Sequence, residues 1–306
     1  KDYPIKVETL SRFRSEQEQK VIINELKNGE IDIIIGTHRL LSNDVVFKNP
    51  GLVIVDEEHR FGVKHKEKLK KIRLTIDSIS MTATPIPRTL HMSLAKIRDM
   101  SVINTPPKER MSVETYVMEF NEDILVEAIR RELGRNGQIF FIYNRVKTIY
   151  EMKKYLQRIY PAARVVVAHG QMNEEDLEDI IRQFVHREYD ILLTTTIVES
   201  GIDIPRANTI IIDRADRFGL SQLYQLRGRV GRSSVKAYAY LFYDANGAIT
   251  EDAMKRLRVI SEYTDLGSGF KIAMKDLEIR GAGNLFGPEQ SGNILAVGFH
   301  LYCKLL

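Results

Sequence analysis

Short runs of β-branched and other apolar residues recur along the chain, separated by segments of helical periodicity, and this alternation restricts the fold to parallel sheets covered by helices. A first set of runs lies at 31–35, 52–55 and 79–81. Each ends in a polar loop: Gly36-Thr37-His38-Arg39, Asp56-Glu57-Glu58-His59 and Thr82-Ala83-Thr84. A second set covers 115–118, 139–143, 165–168, 190–194, 209–213 and 238–242, with helical segments such as 123–133 and 174–184 between them. Open α/β sheets collect their ligands beyond the carboxyl ends of the strands, so polar loops in that position are candidate sites. Between the two sets, Thr105-Pro106-Pro107-Lys108-Glu109-Arg110 disfavours helix and reads as a linker. The 306 residues leave room for about two domains. The expected division is a first lobe over 1–107, a second over 108–245, and a tail over 246–306 in which a helix-like stretch at 250–263 precedes glycine-punctuated loops and short helices.

Composition removes several classes of function. Hydrophobic residues make up 43% and charged residues 28%, which fits neither collagen-like nor disordered chains. No apolar run approaches the ~18 residues of a membrane span. The single cysteine, Cys303, cannot close an internal disulfide and fits a reducing compartment. With 45 Lys and Arg against 41 Asp and Glu, the net charge of +4 means that a polyanionic partner must be met by local patches. The basic run from Lys64 to Arg73 reads first as a solvated helix face and second as a DNA backbone contact. His59 and His169 have no Cys or His at ligand spacing, so no zinc site is expected.

Three blocks carry chemistry. Asp56-Glu57-Glu58-His59 directly follows an apolar strand, so Asp56 can hold Mg²⁺ through water and Glu57 can take a proton from attacking water. By itself the tetrapeptide also reads as a solvated acidic turn. Gln225-Leu226-Arg227-Gly228-Arg229-Val230-Gly231-Arg232 concentrates three guanidiniums among glycines that let backbone approach a ligand, a pattern suited to stabilising a transferring phosphoryl group. Its bland alternative is a basic surface patch. Between these blocks, Thr194-Thr195-Thr196 through Gly201-Ile202-Asp203 offers hydroxyls and amides for phosphate, and Asp203 can accept from a ribose hydroxyl or a guanidinium.

In order, these blocks together with Thr82-Ala83-Thr84 resemble the superfamily-two helicases and translocases. The resemblance implies two RecA-like lobes, doubly wound parallel sheets that bind ATP in the cleft between them and ratchet along nucleic acid. It implies that Asp56 and Glu57 serve Mg²⁺ and the attacking water, that Arg229 and Arg232 act as finger residues, and that Gln225 senses the γ-phosphate. Gly201 and Asp203 then fall in the ATP site. Thr37, His38, Arg39, Thr195 and Thr196 fall on DNA, while Glu58, His59, Thr82 and Thr84 couple ATP state to DNA grip. Phe61-Gly62-Val63, Pro85-Ile86-Pro87-Arg88 and the tail Asp276-Leu277-Glu278-Ile279-Arg280-Gly281-Ala282-Gly283 through Glu289-Gln290 look like the double-stranded DNA translocases of the branch-migration and transcription-repair coupling type. There the tail forms a helical hairpin and loop that turn lobe closure into a step, with Arg280 and Gln290 as coupling residues. The run Ile97-Arg98-Asp99-Met100-Ser101 and the stretch 296–302 look like the coupling branch. That branch implies cytoplasmic work on duplex DNA, displacement of stalled RNA polymerase and partnership with excision-repair proteins. Branch migration at replication forks is the near alternative.

A phosphate loop, G-x-x-x-x-G-K-[ST], is needed to hold the β- and γ-phosphates in such a motor. The sequence contains no Gly-Lys-Ser or Gly-Lys-Thr. The expectation is therefore a truncated first lobe, a complete second lobe and a polypeptide inactive by itself although its parent hydrolyses ATP. A non-catalytic DNA-binding module is the reading of another class.

Overall fold

The structure is a computed structural model that describes residues 4–11, 14–58, 61–83, 99–103, 105, 111–197, 204–244, 249–265 and 267–279. It divides into two compact units, Lys1–Ala83 and Thr84–Leu306. Of the expected linker, only Thr105 is among the described residues, and the tail beyond Ile279 lies outside them.

In the first unit, Ser15 opens helix α1 (Glu16–Asn28) with a capping box: its hydroxyl accepts from the Glu18 amide while the Glu18 carboxylate accepts from its own. Gly29 closes the helix at φ 77°, the left-handed conformation that glycine adopts without strain. The inner face of α1 packs Ile22 and Leu26 with Leu10, Ile31 and Val45. Strand β1 (Val7–Leu10) pairs in parallel with β2 (Ile33–Gly36), and β3 (Leu52–Asp56) pairs in parallel with β4 (Asp77–Met81). Gly36 has no room for a side chain, since a Cβ there would lie 2.2 Å from the Leu10 carbonyl oxygen. The basic run forms helix α2 (Val63–Ile72), which buries Leu69 and leaves Lys64, Lys66, Lys70 and Lys71 exposed. Apolar side chains also remain open to solvent: Ile33 and Ile35 on β2, Leu52 and Ile54 on β3, and Ile79 and Met81 on β4.

The second unit is built on a six-stranded sheet: β5 (Val113–Glu119), β6 (Gln138–Ile142), β7 (Val165–Ala168), β8 (Ile191–Thr194), β9 (Ala207–Ile212) and β10 (Ala237–Tyr243). The spatial order is β5-β10-β9-β6-β8-β7, with every neighbouring pair parallel. Alternate residues serve opposite faces. Ile139 and Phe141 join a core with Leu125 and Ile129 of α3 (Glu122–Gly134) and Ile149 and Leu156 of α4 (Ile149–Ile159). Phe140 and Ile142 join another with Phe184 of α5 (Glu174–Val185), Leu223 and Leu226 of α6 (Leu220–Arg227), and Leu257 and Ile260 of α7 (Glu251–Glu262). Burial on both faces explains why these strands read as continuous apolar runs, and each fully buried large side chain contributes about 1.5–3 kcal/mol. Within the tail expected to hold loops and short helices, an eleven-residue helix α8 (Gly269–Ile279) forms and packs with α6 and α7. It does so because Ile272, Ala273 and Leu277 supply one buried helical face.

Candidate functional site

In the first unit the acidic block and the Thr82-Ala83 block are joined directly. Parallel pairing sets Asp56 opposite Met81, so both loops leave the same end of the β3–β4 pair. The Glu57 amide donates to the Met81 carbonyl at 3.0 Å. The Thr82 hydroxyl then donates to Glu57 Oε2 at 2.9 Å, and the Ala83 amide donates to Glu57 Oε1 at 3.2 Å. Glu57 holds this position with φ at 49°, a left-handed backbone that costs a non-glycine residue of order 1–3 kcal/mol and that clusters at functional sites. Asp56 is exposed at the end of β3.

Glu58 is held by a partner that the sequence reading missed. Arg73, just past α2, donates to Glu58 Oε1 at 2.8 Å and to Ser80 Oγ at 2.9 Å, and Ser80 Oγ donates to Glu58 Oε2 at 3.0 Å. Arg73 stood in the sequence as the last member of a charge run, and nothing local separates it from the exposed lysines before it.

The Thr37-His38-Arg39 loop forms a 3₁₀ turn, His38–Leu41, capped by the Thr37 hydroxyl. Arg39 makes a bidentate pair with Asp44 at 2.8 and 2.6 Å, and its Nε donates to Gln19 at 2.9 Å. The pairing raises the Arg39 pKa and lowers that of Asp44, chiefly through these hydrogen bonds. The His38 ring stands 5.6 Å from the His65 ring of α2.

In the second unit, several polar groups gather at the carboxyl ends of the strands. Thr195 is buried after β8 and its amide donates to the Ala168 carbonyl at the end of β7, at 3.4 Å; Thr196 follows, half-buried. At the same end, Arg145 follows β6 and donates to Asp213 after β9 at 2.7 Å, while Arg214, at φ 51°, donates to Asp244 after β10 at 2.8 Å. Burial pushes the Asp213 carboxyl up, against the pull of Arg145. Arg145 and Asp213 were not singled out from the sequence. The available signal was the same as for the other loops, a polar Asn144-Arg145 directly after an apolar strand.

The arginine block separates into distinct roles. Gln225 is buried on α6, Arg229 is half-buried, and Arg232 is exposed with its Nε donating to the Gly228 carbonyl at 3.4 Å. Arg227 is buried and turned away from these, donating to the carbonyls of Ile260 and Tyr263 at 2.7 Å each. Burial pulls its pKa down to about 10, still high enough to keep it charged at neutrality. Gly231 is required by the fold itself: its φ is 72°, and a Cβ would meet Val113 Cγ2 at 2.9 Å. His59, Thr84, Gly201, Asp203, Arg280 and Gln290 lie outside the described residues. Among the described residues, no group of His, Cys, Asp or Glu forms a metal cage, and no helix is long and apolar enough to cross a membrane.

The chain is similar to known proteins over its full length. A DEAD/DEAH box helicase model matches residues 2–93, and a helicase conserved C-terminal domain model matches residues 121–234. Transcription-repair-coupling factors of Staphylococcus haemolyticus and Staphylococcus epidermidis are 57% and 56% identical over 305 residues, 100% of this chain. The chain spans about a quarter of the length of those relatives, 26% in each. The structure of RecG bound to a three-way DNA junction matches 99% of this chain and 39% of its own, at 38% identity and a TM-score of 0.74. S. cerevisiae Dbp5 L327V, bound to RNA and ADP BeF3, shares the fold alone, at 15% identity over 90% of this chain and 74% of its own, with a TM-score of 0.62. The chain thus has the RecA-like parallel sheets of the helicase fold, matches two helicase domain models, and over its full length is similar to the transcription-repair-coupling factors.

Proposed function

We propose that the chain carries the ATP-hydrolysing and duplex-gripping chemistry of a double-stranded DNA translocase that displaces stalled RNA polymerase and couples transcription to nucleotide excision repair. The observation that carries this reading is the pair of hydrogen bonds from Thr82 and Ala83 to the Glu57 carboxylate. They tie the group that handles attacking water to the block that transmits nucleotide state. A carboxylate held at both oxygens keeps one orientation, and a positioned general base contributes about 10²–10⁴-fold to rate.

The donor set fits Mg²⁺ of the kind motors use, which keeps several waters and is bound through one or two carboxylates plus substrate phosphates. Asp56, exposed at the strand end, would hold the ion, with Glu57 beside it. Bound there, the ion would neutralise phosphate charge. Glu57, whose two oxygens already accept hydrogen bonds, is left to orient the attacking water and take its proton. Arg229 and Arg232 stabilise charge on the transferring phosphoryl group, an effect of roughly 10³–10⁵ in rate where such fingers operate. Gln225 senses the γ-phosphate, and Gly201 and Asp203 bind the nucleotide. Thr37, His38, Arg39, Thr195 and Thr196 hold DNA, and Glu58, His59, Thr82, Thr84, Arg280 and Gln290 transmit the ATP state. The lobes of this reading are 1–107 and 108–245, with 246–306 as the translocation motif. The higher identity to transcription-repair-coupling factors, 57% against 38% for RecG, favours polymerase displacement over branch migration.

The sequence has no phosphate loop, so turnover requires that loop to be supplied. The test replaces the corresponding stretch of the S. haemolyticus relative, 26% of its length, with this chain. That chimera should hydrolyse ATP with stimulation by duplex DNA, and Glu57→Gln should cut the rate about 10²–10⁴-fold while duplex binding persists. Equal turnover by the variant would remove Glu57 from the chemistry. A chimera that binds duplex without hydrolysing ATP would leave a DNA-binding module as the function.

A further inference from the structure

Helix α2 places a second basic element beside the Thr37-His38-Arg39 loop. Lys64, Lys68 and Lys71 recur at i, i+4 and i+7, so they form one stripe along the helix. The stripe is anchored to the loop's own end: Lys68 Nζ donates to the Ser42 carbonyl at 2.7 Å, the residue that caps the His38–Leu41 turn. One position from Lys64, the His65 ring meets the His38 ring at 5.6 Å. Lys64 and Lys71 therefore stand exposed on the border of the loop proposed to hold DNA.

Charge balance around the stripe favours a polyanion. Between Val63 and Ile72 the helix carries Lys64, Lys66, Lys68, Lys70 and Lys71 against a single acid, Glu67. Arg73 beyond it is already paired with Glu58. The first turn of the helix contains no carboxylate, and Gly62 supplies no side-chain cap. A solvated helix face of average composition would alternate signs, as at Lys255 and Glu251 on α7.

We infer that the Lys64–Lys71 stripe is a phosphate-contacting rail that extends the Thr37–Arg39 loop along the backbone of duplex DNA. This rests on the proposed duplex binding and adds to it a residue set and a sequence-independent mode. Such contacts position the protein and specify no base, and each releases counterions.

The measurement is anisotropy of a fluorescein-labelled duplex of mixed sequence, titrated with the 306-residue chain at salt concentrations between about 50 and 200 mM. Lys64→Ala/Lys71→Ala should make the slope of log affinity against log salt shallower by about 2, roughly one per lysine. Lys64→Arg/Lys71→Arg should restore it. Both positions are exposed, and circular dichroism checks that the variants fold. As a charge-matched control, Lys153→Ala/Lys154→Ala on α4 removes two cations from the other unit and should leave the slope unchanged. An unchanged slope in the Lys64/Lys71 variant, or an equal loss in the control, would overturn the rail and leave duplex binding standing. Absence of salt-dependent binding by the unmutated chain would instead remove the DNA reading on which the rail depends.

Discussion

Carboxylates in this chain are held in two opposite ways. Glu57 and Glu58 sit at a strand end with donors brought to them, whereas Glu132 is fully buried at the end of α3. Its Oε2 accepts from Arg135 and Thr209, and its Oε1 has no hydrogen-bond partner among the described residues. Burial pushes its pKa up, and the bonds from Arg135 and Thr209 offset this only in part. The fold therefore favours the protonated form. The stability Glu132 supports is full below the ordinary carboxylate value of 4.5 and is lost as pH rises through its raised pKa. Urea midpoints followed from the ordinary carboxylate range toward neutrality should fall in the unmutated chain and stay flatter in Glu132→Gln. Parallel curves would mean that Glu132 is not the titrating group.

At the scale of elements, Arg227 ties the arginine block to the end of α7 by donating to the carbonyls of Ile260 and Tyr263. A helix end leaves its last carbonyls without intrahelical partners, and this guanidinium meets two of them in a buried setting. Arg227→Met should cost about 2–6 kcal/mol, since it leaves two acceptors unmet at about 1–3 each. Hydrogen exchange should then quicken in α7 and α8 more than in β7, and uniform quickening would count against a local tie. Residue type and spacing do not sort Arg227 from Arg229 and Arg232, which only the family resemblance set apart, because burial against residues some thirty positions away is a tertiary property. Arg39 is likewise held by tertiary partners that its local sequence does not announce, Gln19 and Asp44. The strands were more legible, since sheets buried on both faces write themselves as apolar runs. Strand β1 escaped because Val-Glu-Thr-Leu buries only Leu10. The placement of β5 beside β10 escaped because parallel pairing joins residues far apart in sequence, as in Val113 opposite Ala237.

Across the whole molecule, the two units differ in what holds them. The second has a six-stranded sheet with an apolar core on each face. The first relies on two separate two-stranded pairs and a small core around Leu10, Ile22, Leu26, Ile31 and Val45, with Ile35 57% and Ile54 56% exposed. Isolated strand pairs are marginal in water, and exposed apolar patches mark surfaces that gain stability when covered. The chain should therefore unfold in two steps on heating, the first unit preceding the second. Native-state hydrogen exchange should protect β6, β8 and β9 at least roughly a hundredfold longer than β3 and β4, about 2.8 kcal/mol in opening free energy. In the chimera with the S. haemolyticus relative the gap should narrow, because the flanking polypeptide can cover the open faces of the β1–β2 and β3–β4 pairs. A single cooperative transition in the 306-residue chain, with β3 protected as long as β6, would show that the first unit draws its stability from something other than the covering of those faces.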